Sequence, residues 1–335
     1  MILANLLLAT MSVHGLDTAL QVLPTRFEAD RIFAVPQLRD GKTLTLYTDT
    51  GGGANLLCRS PAERLGIKID PVKVDPDEAA ELGKDPGKAL LEFREGKGVP
   101  ANSDGDASFL VIDCSHGPMA TGMGEGLLSS RWFAGRVWTF DYPAHTLTLE
   151  GSAWKPQVGA SRVDLGLRHA SADGPAFSMP RITVRVDGHD LDLLLDTGAT
   201  GHPTPAAQAA EGGESAGGFR ATSFITTSTF EAWHTAHPDW QVVKDGDDLF
   251  APRFLARTIR VPSVDIAGAT IGPVWFTERP DGAFRKMMSR MTDKPVEGAL
   301  GGNALRHFEM TLDYRNGAAY FRCTRECGPT PPRAP

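Results

Sequence analysis

Two stretches decide the fold: DGKTLTLYTDTGGGANL at 40–56 and DGHDLDLLLDTGATGHP at 187–203. Aligned without a gap at an offset of 147, they share the Asp-Gly turn, Leu44 with Leu191, Leu46 with Leu193, and Asp-Thr-Gly. Each reads as a turn, an apolar strand and then Asp-Thr-Gly. A second pair follows in the same order. EGLLSSRWFAGRVWTFDYPAHTLTL at 125–149 matches EGALGGNALRHFEMTLDYRNGAAYF at 297–321 at an offset of 172. Two blocks repeated in one order make the chain a tandem duplication. The offset grows by 172 − 147 = 25 residues, so the second copy carries an insertion of that size between its blocks. The Gly/Ser-rich stretch Glu211 to Gly218 is read as part of it, a surface loop.

Working outward, strand signals are short and punctuated by turns: Thr43 to Thr48, Phe109 to Asp113, Val137 to Asp141, Thr183 to Val186, Leu191 to Leu195, Thr258 to Val261 and Met310 to Tyr314. Helical patterns are fewer, over Ser60 to Leu65, Phe224 to His234 and Ala283 to Met291. With 36 Gly, 24 Pro and no βαβ alternation, the expected class is all-β. Trp132, Phe133, Trp138 and Phe140 are read as core. The expected divisions are a segment 1–24, related halves at 25–155 and 160–327, a linker near Gly151 to Ser161, and a Pro-rich tail at 328–335.

Each Asp-Thr-Gly is weak evidence alone, because a given tripeptide recurs by chance about once in several thousand positions. Two copies, each ending an apolar strand of a duplicated block, are much stronger. Carboxyls brought together by pseudo-two-fold symmetry do not both ionise: they share a proton and can hold a water, one acting as base and the other as acid. Asp49 and Asp196 are therefore the candidate catalytic pair. Gly51 and Gly198 allow close backbone approach. Thr50 and Thr197 have hydroxyls that can bond across the axis and lock the loops.

These motifs resemble those of the pepsin/retropepsin superfamily of aspartic proteases. The resemblance spans roughly residues 28 to 322 and is specific at the repeated blocks. Glu297-Gly-Ala-Leu-Gly301, followed by Phe308 and Asp313-Tyr314, is similar to the element that buttresses the catalytic loop in that family. It implies two pseudo-symmetric acid-protease-like β-barrel lobes with a cleft between them, and a peptide or protein substrate lying extended across it. It further implies hydrolysis by an activated water with no cofactor or metal, in a monomer, since one chain supplies both aspartates. Three departures stand out. Ser129 occupies the first copy's Gly position. Gly52 and Ala199 replace the hydroxyl residue usual after Asp-Thr-Gly in pepsin-like chains, which raises the expected pKa values of the pair and predicts a mildly acidic optimum. No tyrosine lies between the first motif and its downstream block, so a flap would come from Leu90 to Gly126, around Gly96 to Gly98.

Composition narrows the rest. Lys and Arg total 34 against 41 Asp and Glu, a net charge of −7, with no basic run, so no nucleic-acid partner is expected. Ile2 to Met11 is too short to span a bilayer. It is either the apolar part of an export signal lacking its basic region, since Arg26 is the first basic residue, or a first strand. Export to a periplasmic or secreted location is the expectation, with a cytoplasmic location the alternative. Cys323 with Cys327 and Cys58 with Cys114 are plausible staples in an oxidising compartment, with free buried thiols the alternative. His234 and His237 have metal-pair spacing but no accompanying Glu, and His202 reads as a cleft or loop residue. The other function class compatible with the motifs is a catalytically weak or inactive peptide-binding protein.

Overall fold

The computed structural model describes residues 20–72, 85–115, 122–168 and 178–329. Ile2 to Met11 and most of the Pro-rich tail lie outside them, as does part of the Leu90 to Gly126 segment. The molecule is mostly β, in sheets of eight, ten, six and two strands. Among the described residues none closes into a barrel, so the barrel expectation is corrected: the sheet of each half is open there. Among the described residues, no helix is long and apolar enough to cross a membrane.

Hairpins form where turn chemistry allows. Asp187 and Gly188 both take positive φ (50° and 75°), the two-residue geometry whose twist matches paired strands. This turn sets Val186 opposite His189 and brings Arg181–Val186 against His189–Leu195. The latter strand is exposed at His189 and buried by Leu193 to Leu195, so it carries Asp196 inward.

The duplication is visible as repeated topology. In the first half the spatial order is Arg31–Ala34, Leu46–Thr48, Gly126–Leu128, Leu56–Cys58, Ser108–Ile112, Gly87–Leu90, Asp70–Pro71. In the second it is Arg181–Val186, His189–Leu195, Gly298–Leu300, Ser223–Thr226, Val274–Arg279, Phe254–Val261, Val242–Phe250. Every neighbour relation agrees, including two parallel contacts in each half. In both, the strand from the downstream Glu-Gly block slots beside the strand leading into Asp-Thr-Gly.

A six-stranded sheet joins the halves, and at its centre Val137–Asp141 runs antiparallel to Phe308–Asp313. Thr139 faces Thr311, its own repeat equivalent, with hydroxyls 2.8 Å apart. Trp132, Phe133, Trp138 and Phe140 are buried as expected. Each such fully buried large apolar side chain stabilises the fold by roughly 2–3 kcal/mol.

Several boundaries differ from the sequence reading. Phe224 to Thr226 is strand, not helix, and the helix runs Thr227–Ala236. Ile225 pairs on both sides, with Glu278 and with Gly298, and this two-sided pairing overrides helical periodicity. The helical reading over Ala283 to Met291 holds as a π-turn, Gly282–Met287, and a 3-10 turn, Met288–Arg290. Ser161–Asp164, at the end of the linker, forms an edge strand on Ala318–Cys323, and Gly328–Pro329 pairs with Ala269–Thr270. Gln21–Val22 occupies the opposite edge of the joining sheet. Both cysteine pairs are disulfides, Cys58–Cys114 and Cys323–Cys327. The Gly96 turn is bound to its own half: Gln37 N donates to Lys97 O, and Arg94 N donates to Gln37 O.

Candidate active site

Both Asp-Thr-Gly loops leave buried strands and meet each other where the two repeated halves face. Asp49 N donates to Leu128 O at 2.8 Å, and Asp196 N donates to Leu300 O at 3.0 Å, the equivalent positions of the downstream blocks. These bonds fix where each loop departs from its sheet.

The threonines interlock the halves. Thr50 Oγ1 donates to Leu195 O at 2.6 Å and accepts from Thr197 N at 3.0 Å. Thr197 Oγ1 donates to Thr48 O at 3.0 Å and accepts from Thr50 N at 3.2 Å. Four buried groups, two carbonyls and two amides, thus find partners in the opposite loop. Both side chains are fully buried, so the threonines bury no orphan hydroxyl.

The carboxyls point at one another. Gly51 N donates to Asp49 Oδ1 and Gly198 N to Asp196 Oδ1, each at 2.8 Å, and the two carboxyls lie within hydrogen-bonding reach. Close approach explains the glycines. A Cβ on Gly198 would stand 2.2 Å from Asp49 Cγ, and one on Gly51 would stand 2.7 Å from Asp196 Cγ. No side chain fits at either position.

Burial and proximity set the electrostatics. Desolvation, then the neighbouring Asp196 charge, pushes Asp49 well above the ordinary carboxylate range. Desolvation likewise pushes Asp196 up to about 6, opposed by hydrogen bonds from Asp49 and from the Gly198 and Ala199 amides. The pair titrates as one unit that retains a proton where an isolated carboxylate has lost it. With Gly52 and Ala199 following the motifs, no hydroxyl from those positions counters the rise.

Ser129 is accommodated by a matched support. In the second half Gly301 N donates to Ser223 Oγ at 3.0 Å, and a Cβ on Gly301 would strike Thr222 O at 1.8 Å. In the first half Ser129 N donates to Asn55 Oδ1, also at 3.0 Å, and the Ser129 hydroxyl bonds the same oxygen. Register makes Asn55 the equivalent of Ser223, since Leu56 opposes Leu127 as Phe224 opposes Ala299. Neither Asn55 nor Ser223 stands out in the sequence, because the insertion separates Ser223 from its motif.

That insertion, Thr200 to Ala221, is more than a loop. It holds a two-stranded ribbon, Thr200–Gly201 with Arg220–Ala221, and a helix, Pro205–Glu211, N-capped by the Thr204 hydroxyl. It reaches the first half at three places. Ala221 N donates to Ala29 O, Tyr47 OH meets Thr200 Oγ1 at 2.8 Å, and buried Arg31 donates to Ala216 O while its guanidinium sits 5.8 Å over Phe219. Sequence reading missed Tyr47 and Arg31. Only the fold reveals that Tyr47, two residues before Asp49, spans the seam.

His202 lies in the same insertion, its Nδ1 on the Asp248 carboxyl and its ring 4.9 Å from that of Phe219. His234 and His237 do not converge. His237 Nε2 pairs with Asp187 and its ring stacks on Trp240, whereas His234 lies against Phe230. No group of three or more metal-ligating side chains occurs among the described residues. No protein-family model matches the chain, and no curated protein matches it either.

Proposed function

We propose that the chain is an aspartic endopeptidase of two-lobed, acid-protease-like fold, hydrolysing peptide bonds with a water activated by Asp49 and Asp196. The observation that carries the reading is the pair of desolvated carboxyls held face to face by the reciprocal Thr50 and Thr197 bonds. The repeated sheet topology supports the two-lobed fold.

The chemistry follows from one proton shared by two carboxyls. The ionised member accepts a proton from the water as its oxygen attacks the scissile carbonyl. The protonated member donates to the carbonyl oxygen, giving a neutral tetrahedral diol. Collapse breaks the C–N bond: the amine leaves with the proton from one carboxyl while a diol hydroxyl returns its proton to the other, so the singly protonated dyad is restored. No covalent enzyme intermediate, metal or organic cofactor is required by these steps. One chain supplies both groups, so a monomer suffices. The two disulfides fit an oxidising, exported setting.

The test is hydrolysis of casein and of a peptide library from pH 3 to pH 8, with and without pepstatin, by the wild type and by Asp49→Asn and Asp196→Asn. Both variants should fold and lose cleavage, and the wild-type optimum should be mildly acidic. Cleavage retained by either variant discards the shared-proton mechanism, and an optimum near pH 2 discards the desolvated pair. A folded wild type that binds peptides without cutting them returns the peptide-binding reading.

A further inference from the structure

The halves hold their catalytic loops unequally. Tyr47 lies two residues before Asp49, and at the offset of 147 its counterpart is Leu194, two residues before Asp196. Thr200, four residues after Asp196, has Gly53 as its counterpart. A phenol and a hydroxyl therefore stand beside the second loop, and neither has a polar equivalent beside the first. Both residues are buried.

Their bonds lead to one carboxyl. Tyr47 OH is 3.3 Å from Thr197 O and 2.8 Å from Thr200 Oγ1. A carbonyl can only accept, so the phenol donates to Thr197 O and the Thr200 hydroxyl donates to the phenol oxygen. Thr197 is fully buried, and its carbonyl needs that donor. The Thr197 carbonyl and the Gly198 amide are one peptide group, and Gly198 N donates to Asp196 Oδ1 at 2.8 Å. A proton given to the carbonyl draws electron density from the amide through peptide resonance and strengthens its N–H as a donor. The chain of bonds thus ends on Asp196 and favours its ionised form. Gly51 N makes the matching 2.8 Å bond to Asp49 Oδ1, but Leu194 and Gly53 offer nothing to the Thr50–Gly51 peptide.

Arg31 adds to the same bias. Its guanidinium lies 5.2 Å over Phe33, the ring that stacks on Tyr47 at 5.0 Å. It donates to the Gly122 and Ala216 carbonyls and forms no ion pair among the described residues. Its uncompensated charge favours electron density on the phenol oxygen over the proton there, which sharpens Tyr47 as a donor. Tyr47 and Tyr142 are the other titratable groups close enough to act on the pair by charge. Burial pushes both phenols up, so each stays neutral where the carboxyls titrate.

We propose that Tyr47 is a positioning residue that decides which member of the dyad is the base: Asp196 is ionised and takes the proton of the attacking water, while Asp49 holds the shared proton and gives it to the scissile carbonyl oxygen. The catalytic roles rest on the peptidase reading, whereas the unequal sharing of the proton rests on these contacts alone. The electrostatic order agrees. Burial pushes both carboxyls up, Asp49 well above the ordinary range and Asp196 to about 6. From the diol, Asp196 passes its proton to the leaving amine and a diol hydroxyl reprotonates Asp49.

Carbon-13 NMR of the full chain, labelled at the aspartate Cγ and titrated across the acid and neutral range, tests this, with the two signals assigned by their loss in Asp49→Asn and Asp196→Asn. While the pair holds one proton, Asp49 Cγ should keep the shift of a carboxylic acid and Asp196 Cγ that of a carboxylate. Tyr47→Phe should raise the Asp196 titration by about 0.5 pH unit, and Thr200→Val should raise it by less. Thr200→Val probes the same chain of bonds should Tyr47→Phe fail to fold. Equal protonation of the two carboxyls in the wild type, the proton on Asp196, or an Asp196 titration unmoved in the folded variants overturns the proposal. So does a fall in Thr200→Val, which would mean that the phenol donates to Thr200 and not to Thr197. The titration needs no turnover. In kinetics, the acid limb of kcat against pH should rise with the Asp196 titration in Tyr47→Phe, at unchanged KM, because the base must be ionised; a lower kcat with an unmoved limb would mark a merely structural residue and overturn the proposal. Unequal carboxyls in a chain that never cleaves would sink the peptidase reading alone, and cleavage by a chain with equal carboxyls would sink this one alone.

Discussion

Replacing Asp196 with Asn should make the protein more stable at neutral pH while abolishing the proposed peptide hydrolysis. A carboxyl whose pKa is raised on folding favours the native state fully below its unfolded value near 3.8. That contribution is lost as the pH climbs through the folded value, because charge must then be held in a desolvated site. For Asp196 the rise is from 3.8 to about 6, which corresponds to about 3 kcal/mol forfeited by pH 7. Asparagine is nearly isosteric and carries no such charge. With roughly 2.1 cal/mol/K of unfolding entropy per residue over 335 residues, that gain raises Tm by about 4 °C. Scanning calorimetry of wild type and variant from pH 3.5 to pH 8 should show coincident Tm values at the acid end, diverging between pH 4 and pH 7. Peptide hydrolysis should fall at least about 100-fold at every pH, the scale of losing an acid–base group. Parallel Tm curves across the whole range would refute the claim that these carboxyls are held unwillingly charged, whatever the activity data showed.

Three other outcomes follow from particular contacts. Thr50→Val leaves Leu195 O and Thr197 N buried without partners, costing roughly 2–6 kcal/mol, whereas Thr50→Ser should recover most of it; urea unfolding at constant m-value reads both. Gly198→Ala places a methyl 2.2 Å from Asp49 Cγ, so the loops must separate and kcat should drop by about 100-fold, to be read in initial rates on one peptide with fold checked by circular dichroism. Cys58→Ser together with Cys114→Ser opens a 56-residue separation and should destabilise by about 4 kcal/mol on the chain-entropy account, visible as a Tm fall that reducing agent reproduces in the wild type.

How much could be read in advance follows the range of the interactions. The strands over Val137 to Asp141 and Leu191 to Leu195 were legible because alternation and turn residues act within a few positions. Asp49, Asp196 and their Thr-Gly neighbours were legible because duplication wrote them twice. Phe224 to Thr226 misled, since its apolar spacing suits a helix while its neighbours Val274–Arg279 and Gly298–Leu300, each more than 45 residues away, impose a strand. The strand at Ser161–Asp164 gave little apolar signal: only Val163 packs against the core, the rest is exposed, and the pairing with Ala318–Cys323 is made by backbone hydrogen bonds that any residue can make.

Sequence by itself determined that two equivalent carboxyls exist, that each ends a buried strand, and that glycine follows at the point of closest approach. Those properties are local and survive in a string. Tertiary structure decided that Asn55 and Ser223 play one part, that Ser129 is supported where Gly301 needs a bare backbone, and that the insertion lies against the first half at Ala29, Arg31 and Tyr47. It also decided that, among the described residues, the sheets stay open. Contacts of this kind join residues up to 192 positions apart, as Ala221 N to Ala29 O does, and only the packed chain brings them within hydrogen-bonding distance.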